Sequence, residues 1–396
     1  IKYYGYNFNS TIIDLLKSKI FIIYFYLHMR GIFVDKKRIL IIVTGRGIGG
    51  DAGTALNVYN ALEKRGYDCE IALDESAPGL LFKKNDMGWN KVIIPQAGGH
   101  SATIMTTIKA GIRAIRGVLQ TRKLLKSKKF DLELGILGGG AIVGALGAKL
   151  AGIPTVSLLI TPLDTKVCSH IGTPIILPEN NLFLAEDIPE NMVKSFSPVN
   201  DNITHGDKNK ALEKIKEHSK EAKEKNPDAI EFDENKPTIV FSSGSSLFEK
   251  TAQAINQFSK YSDKYNLVLC GDPLEDSVLN YIDETKMINV GFIDWVNDLL
   301  CLADLAVLTN DGLMLHEAMV CNLPVVILKR VKWGRYHDMV SIFKGATVEC
   351  DLEDLDEKIF EVMDNYDEFA KRTDEYRTAI LNVGDNICDI VDGYLK

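Results

Sequence analysis

The chain has no cysteine framework. Its seven cysteines, at 69, 168, 270, 301, 321, 350 and 388, are scattered and odd in number. No two stand at C-x-x-C spacing, which excludes a zinc ribbon or a disulfide scaffold and fits a reducing cytosol. Basic excess is also missing: 46 Lys and Arg face 54 Asp and Glu, a net charge of −8. A general nucleic-acid binder would usually carry the opposite balance. Long apolar runs are missing too. "IFIIYFYL" ends after eight residues at His28, whereas a spanning helix needs roughly 20. No small-residue cleavage site follows it, so a signal peptide fits poorly. Residues 1–34 are read as an N-terminal extension. Either they include sequence upstream of a natural start at Met29, or they form an interfacial anchor. No Asp-x-Asp stands in a suitable loop, so no metal is expected.

What is present is alternation. "RILIIV" reads as a strand, "AGTALNVYNALEKRG" as a helix, and "DCEIAL" and "KVIIP" as strands. A long helix follows, then "LELGIL", "IVGALGAKLAG", "IPTVSLL" and "NLFLA". Strands alternating with helices predict a doubly wound parallel sheet. The pattern breaks in "HGDKNKALEKIKEHSKEAKEKNPDAIEFDENKP", a charged segment, and restarts at "PTIVFSSGSS". The expected organisation is an α/β domain over 35–200, a charged helical connector over 201–236, and a second α/β domain over 237–396. A ligand is expected between the halves, at the carboxyl ends of the strands.

Four stretches carry candidate chemistry. "TGRGIGGDAG" places Gly45, Gly47 and Gly50 in a G-x-G-x-x-G after a strand. Such a loop can hold a dinucleotide, with Asp74 or Glu75 as the acidic residue after the second strand. "FSSGSSLFEK" packs small residues between a strand and a helix, which suits a diphosphate; Ser245 or Ser246 could equally be a plain N-cap. "LTNDGLMLHEAMVCNLPVVIL" places Glu317 inside a helix that starts after Gly312, within reach of ribose hydroxyls, or as a solvated carboxylate. "KRVKWGRYHDMV" offers Arg335, His337 and Asp338 to sugar hydroxyls, or is an ordinary surface loop.

In combination and order, these stretches over roughly 37–380 resemble the GT-B glycosyltransferases, and within them the MurG-like family. "GRGIGGDAGTAL" is similar to that family's first glycine-rich loop and "LGGGAIVGALGAKLAGIPTV" to its second. "SSGSS", "GFIDWVNDLLCLADLAVLTNDG" and "HEAMVCNLPVVIL" are similar to its donor-binding region. The resemblance implies two Rossmann-like domains with a cleft between them. It implies inverting transfer of a sugar, an N-acetylhexosamine, from a UDP-sugar to a lipid-diphosphate-linked precursor of murein or pseudomurein type, with no cofactor. It implies that Ile293 meets the uracil and Glu317 the ribose. Gly244, Ser245 and Ser246 would cradle the diphosphate, with Asn310, Asp311, Gly312, Leu313 and Met314 along the phosphates and sugar. The Arg335, His337 and Asp338 loop would read the sugar. Gly47, Gly49 and Gly50, with Gly139 and Gly140, would face the acceptor's diphosphate. The chain departs from the family where Asp51 replaces a His, where the helix-start spacing is one residue short, and where paired Gln and Asn are absent from the sugar loop.

A transferase of this kind needs a base for the attacking hydroxyl. Asp51 is the candidate and His100 the reserve; an Asp at a loop-to-helix junction is also a natural N-cap. The segment 108–129 carries eight Lys and Arg and no acid, beside Ile108, Ile112, Ile115 and Leu119. It reads as a contact for anionic lipid, or as an outer helix packed on its own sheet. The expected location is the cytoplasm, peripheral on the inner face of the membrane, and no nucleic-acid partner is expected. Two rival readings stay open: a UDP-N-acetylglucosamine 2-epimerase, whose helix-start loop "TNDGLMLHEA" fits without a gap, and a non-catalytic UDP-sugar-binding subunit.

Overall fold

The first half folds from strands that are apolar on both faces. In β1 (Arg38–Val43) every residue from Ile39 to Val43 is buried. Ile39, Ile41 and Val43 enter one core, and Leu40 and Ile42 enter the core on the opposite face. Burial on both faces is the mark of a parallel sheet covered by crossover helices. β1 joins β2 (Asp68–Asp74), β3 (Trp89–Val92), β4 (Leu132–Ile136), β5 (Thr155–Leu159), β6 (Thr173–Ile176) and β7 (Val193–Lys194). The order is β3-β2-β1-β4-β5-β6-β7, with parallel pairing throughout. The computed structural model describes residues 36–95, 104–177, 191–309, 312–331 and 339–396. The extension 1–34 and the expected strand "NLFLA" lie outside the described residues.

The second sheet contains β8 (Thr238–Leu247), β9 (Asn266–Pro273), β10 (Ile288–Gly291), β11 (Leu305–Thr309), β12 (Val325–Leu328) and β13 (Thr347–Cys350). Its order is β10-β9-β8-β11-β12-β13, again parallel. In both sheets the strand order reverses next to the first strand, which opens a crevice at the carboxyl ends.

Helices named below are α1 (Gly50–Arg65), α2 (Leu80–Lys84), α3 (Ile104–Lys128), α4 (Gly138–Ala151), α5 (Pro162–Cys168), α6 (Lys208–Lys225), α7 (Glu249–Phe258), α8 (Val296–Leu302) and α9 (Leu313–Val320). The charged connector is more than a spacer. Asp207 caps α6 by accepting from the Asn209 and Lys210 amides. The helix buries Ala211 and Ile215 in the second core, beside Leu299 of α8. The last helix, Val383–Leu395, corrects the expected extent of the second domain. It crosses back and packs Val383, Ile387, Cys388 and Val391 into the first core. Arg65 of α1 pairs with Asp389 at 2.5 Å, and the Tyr67 hydroxyl donates to Asp392. Four apolar side chains removed from water are worth about 1.5–3 kcal/mol each, far more than the exposed pairs around them.

Residues 38–396 form one compact unit, and the two sheets meet at the start of α1. A side chain at Gly49, where φ is +79°, would begin 2.8 Å from the Ser245 hydroxyl. Only glycine lets the first loop come this close to the end of β8. Lys84 of α2 also pairs with Asp294, just after Ile293.

Candidate active site

The crevice holds a cavity of about 320 Å³ between the halves, within the range of ligand pockets, about 300–1,000 Å³. Three elements build it. The first is the end of β8. Its serine segment is a strand extension and not the loop expected: the register with β9 shifts between Ser242 and Ser246, forming a bulge with Gly244 at φ +91°. The Ser242 hydroxyl accepts the Gly244 amide and donates to the Cys270 carbonyl. The Ser243 hydroxyl donates to the Ser246 carbonyl and accepts the Phe248 amide. Neither Ser245 nor Ser246 caps α7, whose N-cap is Phe248 without a side-chain cap.

The second element follows β10. Phe292, half-exposed, and Ile293, buried, line the cavity there, and the Phe292 amide donates to Asp272. The third is α9. Gly312, Leu313, Met314 and Glu317 line the cavity, and the N-cap, Gly312, has no side chain to cap the helix start. Burial pushes Glu317 up to about 7. Its carboxyl makes no hydrogen bond or ion pair to a described residue, so its acceptor capacity is open to a ligand. His316, its neighbour, faces away into the core between Phe196 and Phe343.

Gly244, Ser245, Ser246, Ile293, Gly312, Leu313, Met314 and Glu317 thus meet in one cavity, together with Gly49 and Gly50 of the first loop. His100, Asn310, Asp311, Arg335, His337 and Asp338 lie outside the described residues. Reading by motif missed Ser242, Ser243, Phe248, Gly271, Phe292 and Thr309, which also line the cavity. The serines stood inside the quoted "FSSGSS"; Phe292 had the only other visible signal, an aromatic beside the expected base-binding Ile293.

Other expected roles need correction. Gly47 is buried against Gly79, where a side chain would begin 2.6 Å from the Gly79 Cα. It shapes the loop and does not line the cavity. Gly139 and Gly140 are absent from the cavity wall as well. Gly139 packs on the Pro95 carbonyl. The Gly138 amide donates to Asp164 at 2.7 Å and the Gly140 amide to the Thr44 hydroxyl at 2.6 Å. The start of α4 is therefore filled by the protein's own oxygens. Asp51 stands in the first turn of α1, which Gly49 caps without a side chain, so Asp51 is not the N-cap. One of its carboxyl oxygens lies 3.4 Å from where a Gly45 side chain would begin, outside the cavity-lining set.

The dinucleotide reading of the first loop also meets a physical obstacle. Asp74 is 1% exposed. It accepts from the Ile94 amide, from Ser76 and from Arg113. Burial pushes its carboxyl up, but these donors outweigh it and hold Asp74 below its ordinary range. Nothing is left over for a ribose. Among the described residues, no group of three or more His, Cys, Asp or Glu is placed to hold a metal.

No family model matches the chain. A UDP-N-acetylglucosamine–N-acetylmuramyl-(pentapeptide) pyrophosphoryl-undecaprenol N-acetylglucosamine transferase of Histophilus somni is 27% identical over 165 residues, 41% of this chain and 45% of the relative. The match thus spans about half the length of that curated relative. The Acinetobacter baumannii MurG crystal structure superposes with a TM-score of 0.60 at 15% identity, covering 90% of this chain and 99% of the other. Anabaena Alr3699/HepE in complex with UDP-glucose gives 0.61 at 13% over the same shares. The fold is GT-B. The MurG-like resemblance read from the motifs is met again in both comparisons. A putative UDP-N-acetylglucosamine 2-epimerase from Listeria monocytogenes also superposes, with a TM-score of 0.64 at 12% identity over 92% of this chain and 97% of the other. Fold likeness alone therefore does not separate the transferase from its rival.

Proposed function

We propose that the protein transfers a sugar, an N-acetylhexosamine, from a UDP-sugar to a lipid-diphosphate-linked glycan precursor, with inversion. One observation carries the reading. The serine bulge of β8, the Ile293 turn and the start of α9 with Glu317 converge on one cavity, which brings groups suited to a diphosphate, a base and a ribose within reach of one ligand. The relatives support it: a UDP-N-acetylglucosamine transferase and a UDP-glucose complex.

In this reading the uracil lies against Ile293 and the diphosphate against Gly244, Ser245 and Ser246. The ribose hydroxyls donate to Glu317. The amides at the start of α9 stabilise the leaving UDP as charge builds on its phosphates. The acceptor enters over Gly49 and Gly50. Its diphosphate does not rest on the start of α4, because Asp164 and Thr44 occupy those amides. Asp51 is the proposed base, next to Gly50 in the first turn of α1 and reached by the acceptor rather than by the donor.

The lipid-linked acceptor accords with α3. Ile112, Ile115 and Leu119 are 49%, 65% and 54% exposed there, beside the exposed cations Arg116, Lys123 and Lys126. Arg113, Arg122 and Lys128 are engaged by Asp74, the Leu150 carbonyl and Glu70, whereas Arg116, Lys123 and Lys126 make no ion pair among the described residues and flank the apolar strip. Among the described residues no helix is long and apolar enough to cross a membrane. Such a surface lies on anionic lipid and does not insert through it.

The test is UDP release from UDP-N-acetylglucosamine with and without a polyprenyl-diphosphate-linked acceptor. Release that depends on acceptor is expected, falling roughly 10²-fold in Asp51→Asn. Epimerised sugar formed without acceptor would sink the transferase reading in favour of the isomerase. Undiminished turnover in Asp51→Asn would remove that residue alone.

A further inference from the structure

We infer that His316 is a positioning residue: its imidazole holds the Gly312 carbonyl so that the Leu313 amide at the start of α9 is aimed into the cavity, at a donor's phosphates. The inference rests on the donor-site reading above and adds a residue to it that the motifs did not name.

His316 Nδ1 lies 3.2 Å from the Gly312 carbonyl oxygen. A carbonyl only accepts, so Nδ1 carries the proton. Burial pushes His316 down to about 4, and the ring is neutral and donating in this tautomer at any ordinary pH. In a planar trans peptide the carbonyl of one residue and the amide of the next point in opposite directions. Drawing the Gly312 carbonyl toward the helix therefore turns the Leu313 amide outward, where Gly312, Leu313 and Met314 line the cavity. The peptide needs such a tether. Gly312 sits at φ +112° and ψ 168°, a region only glycine enters freely and from which it can also rotate away. No N-cap side chain restrains it.

Core packing does not explain the residue. His316 is 2% exposed, edge-on to Phe343 at 5.4 Å and to Phe196 at 6.1 Å. Its Nε2 is buried without a partner. An unpaired buried nitrogen is a cost that leucine or phenylalanine would avoid. A histidine here is explained by what Nδ1 holds.

Calorimetric titration of the full chain with UDP, and with uridine, which has no phosphate, tests this. His316→Leu is expected to weaken UDP about tenfold and uridine less than about twofold, with Tm equal to or above that of the unaltered protein. His316→Asn, whose carboxamide can donate to the same carbonyl, is expected to keep UDP within about threefold. His316→Phe serves as a second apolar variant that fills the same aromatic pocket. Equal losses for UDP and uridine, unchanged UDP affinity, or no recovery in His316→Asn would each overturn the inference while leaving the donor site standing. If the unaltered protein bound neither ligand, the donor reading itself would fall, and this inference with it.

Discussion

Two helix starts in this molecule share one local grammar and reach opposite outcomes. α4 follows β4 and begins in Gly138, Gly139 and Gly140; α9 follows β11 and begins after Gly312. Both leave amides at a positive helix end. At α4 the protein satisfies them itself, with the Asp164 carboxyl on Gly138 and the Thr44 hydroxyl on Gly140. Asp164 is fully buried there and also accepts from the Thr161 amide. Even the N-cap, Leu137, is held at φ 56° and ψ 153°, a conformation a leucine adopts only when its surroundings impose it. At α9 the N-cap is Gly312, which has no side chain to cap the helix, and among the described residues Glu317 makes no hydrogen bond or ion pair. The contrast teaches that a glycine-rich strand-to-helix turn offers an anion site, and a single acid elsewhere in the chain decides whether it stays open.

That contrast can be broken from either side. The largest effect is expected from Asp164→Ala. It strands the Gly138 and Thr161 amides and leaves a gap where a fully buried carboxyl stood, so a stability loss of about 2–4 kcal/mol is expected in denaturant unfolding. UDP affinity in the folded fraction should stay within about twofold. A large loss of UDP affinity with little change in stability would mean that α4, not α9, serves the nucleotide. Next is Glu317→Ala, with the reverse signature: UDP weakened about 10- to 100-fold and stability unchanged or higher, because a half-buried carboxyl with no partner among the described residues is removed.

A smaller effect sharpens the Glu317 assignment. Accepting two ribose hydroxyls requires the ionised form, and burial places its titration at about 7. UDP affinity should therefore fall by up to about tenfold as pH drops from 8 to 6. Glu317→Gln should be flat over that range. The stability signature has the opposite sign. The fold retains a proton that the unfolded chain releases, so this carboxyl costs stability progressively as pH rises from the ordinary carboxylate range to about 7. A pH-independent affinity in the unaltered protein would remove Glu317 from the ribose. The close contact across the cleft is read through stability instead of affinity. Gly49→Ala should cost about 1–3 kcal/mol through its positive φ and its clash with Ser245. Ser245→Ala should relieve part of it in the double variant.

Much of this was legible in the residues. Apolar runs punctuated by glycine mark both parallel sheets, and "SSGSS", "GFIDW" and "HEAMV" contain part of the cavity lining, Gly244, Ser245, Ser246, Ile293 and Glu317. What could not be read were relationships between distant segments. The return of Val383–Leu395 to the first core is invisible in a helix whose local pattern is merely amphipathic. The bulge that turns "SSGSS" from a loop into strand depends on its register with β9. Gly139 and Gly140 look like a phosphate loop in isolation. Asp164, some 25 residues later, settles otherwise.

The sequence by itself determined which segments become strands and helices, because side-chain periodicity and glycine positions act over a few residues. It also determined where uncapped helix starts can exist. The tertiary structure alone decided that the start of α4 is filled by Asp164 and Thr44 while the start of α9 lines the cavity. Filling is a matter of which carboxyl the chain carries back to the amides, and that is set by how strands far apart in sequence lie side by side.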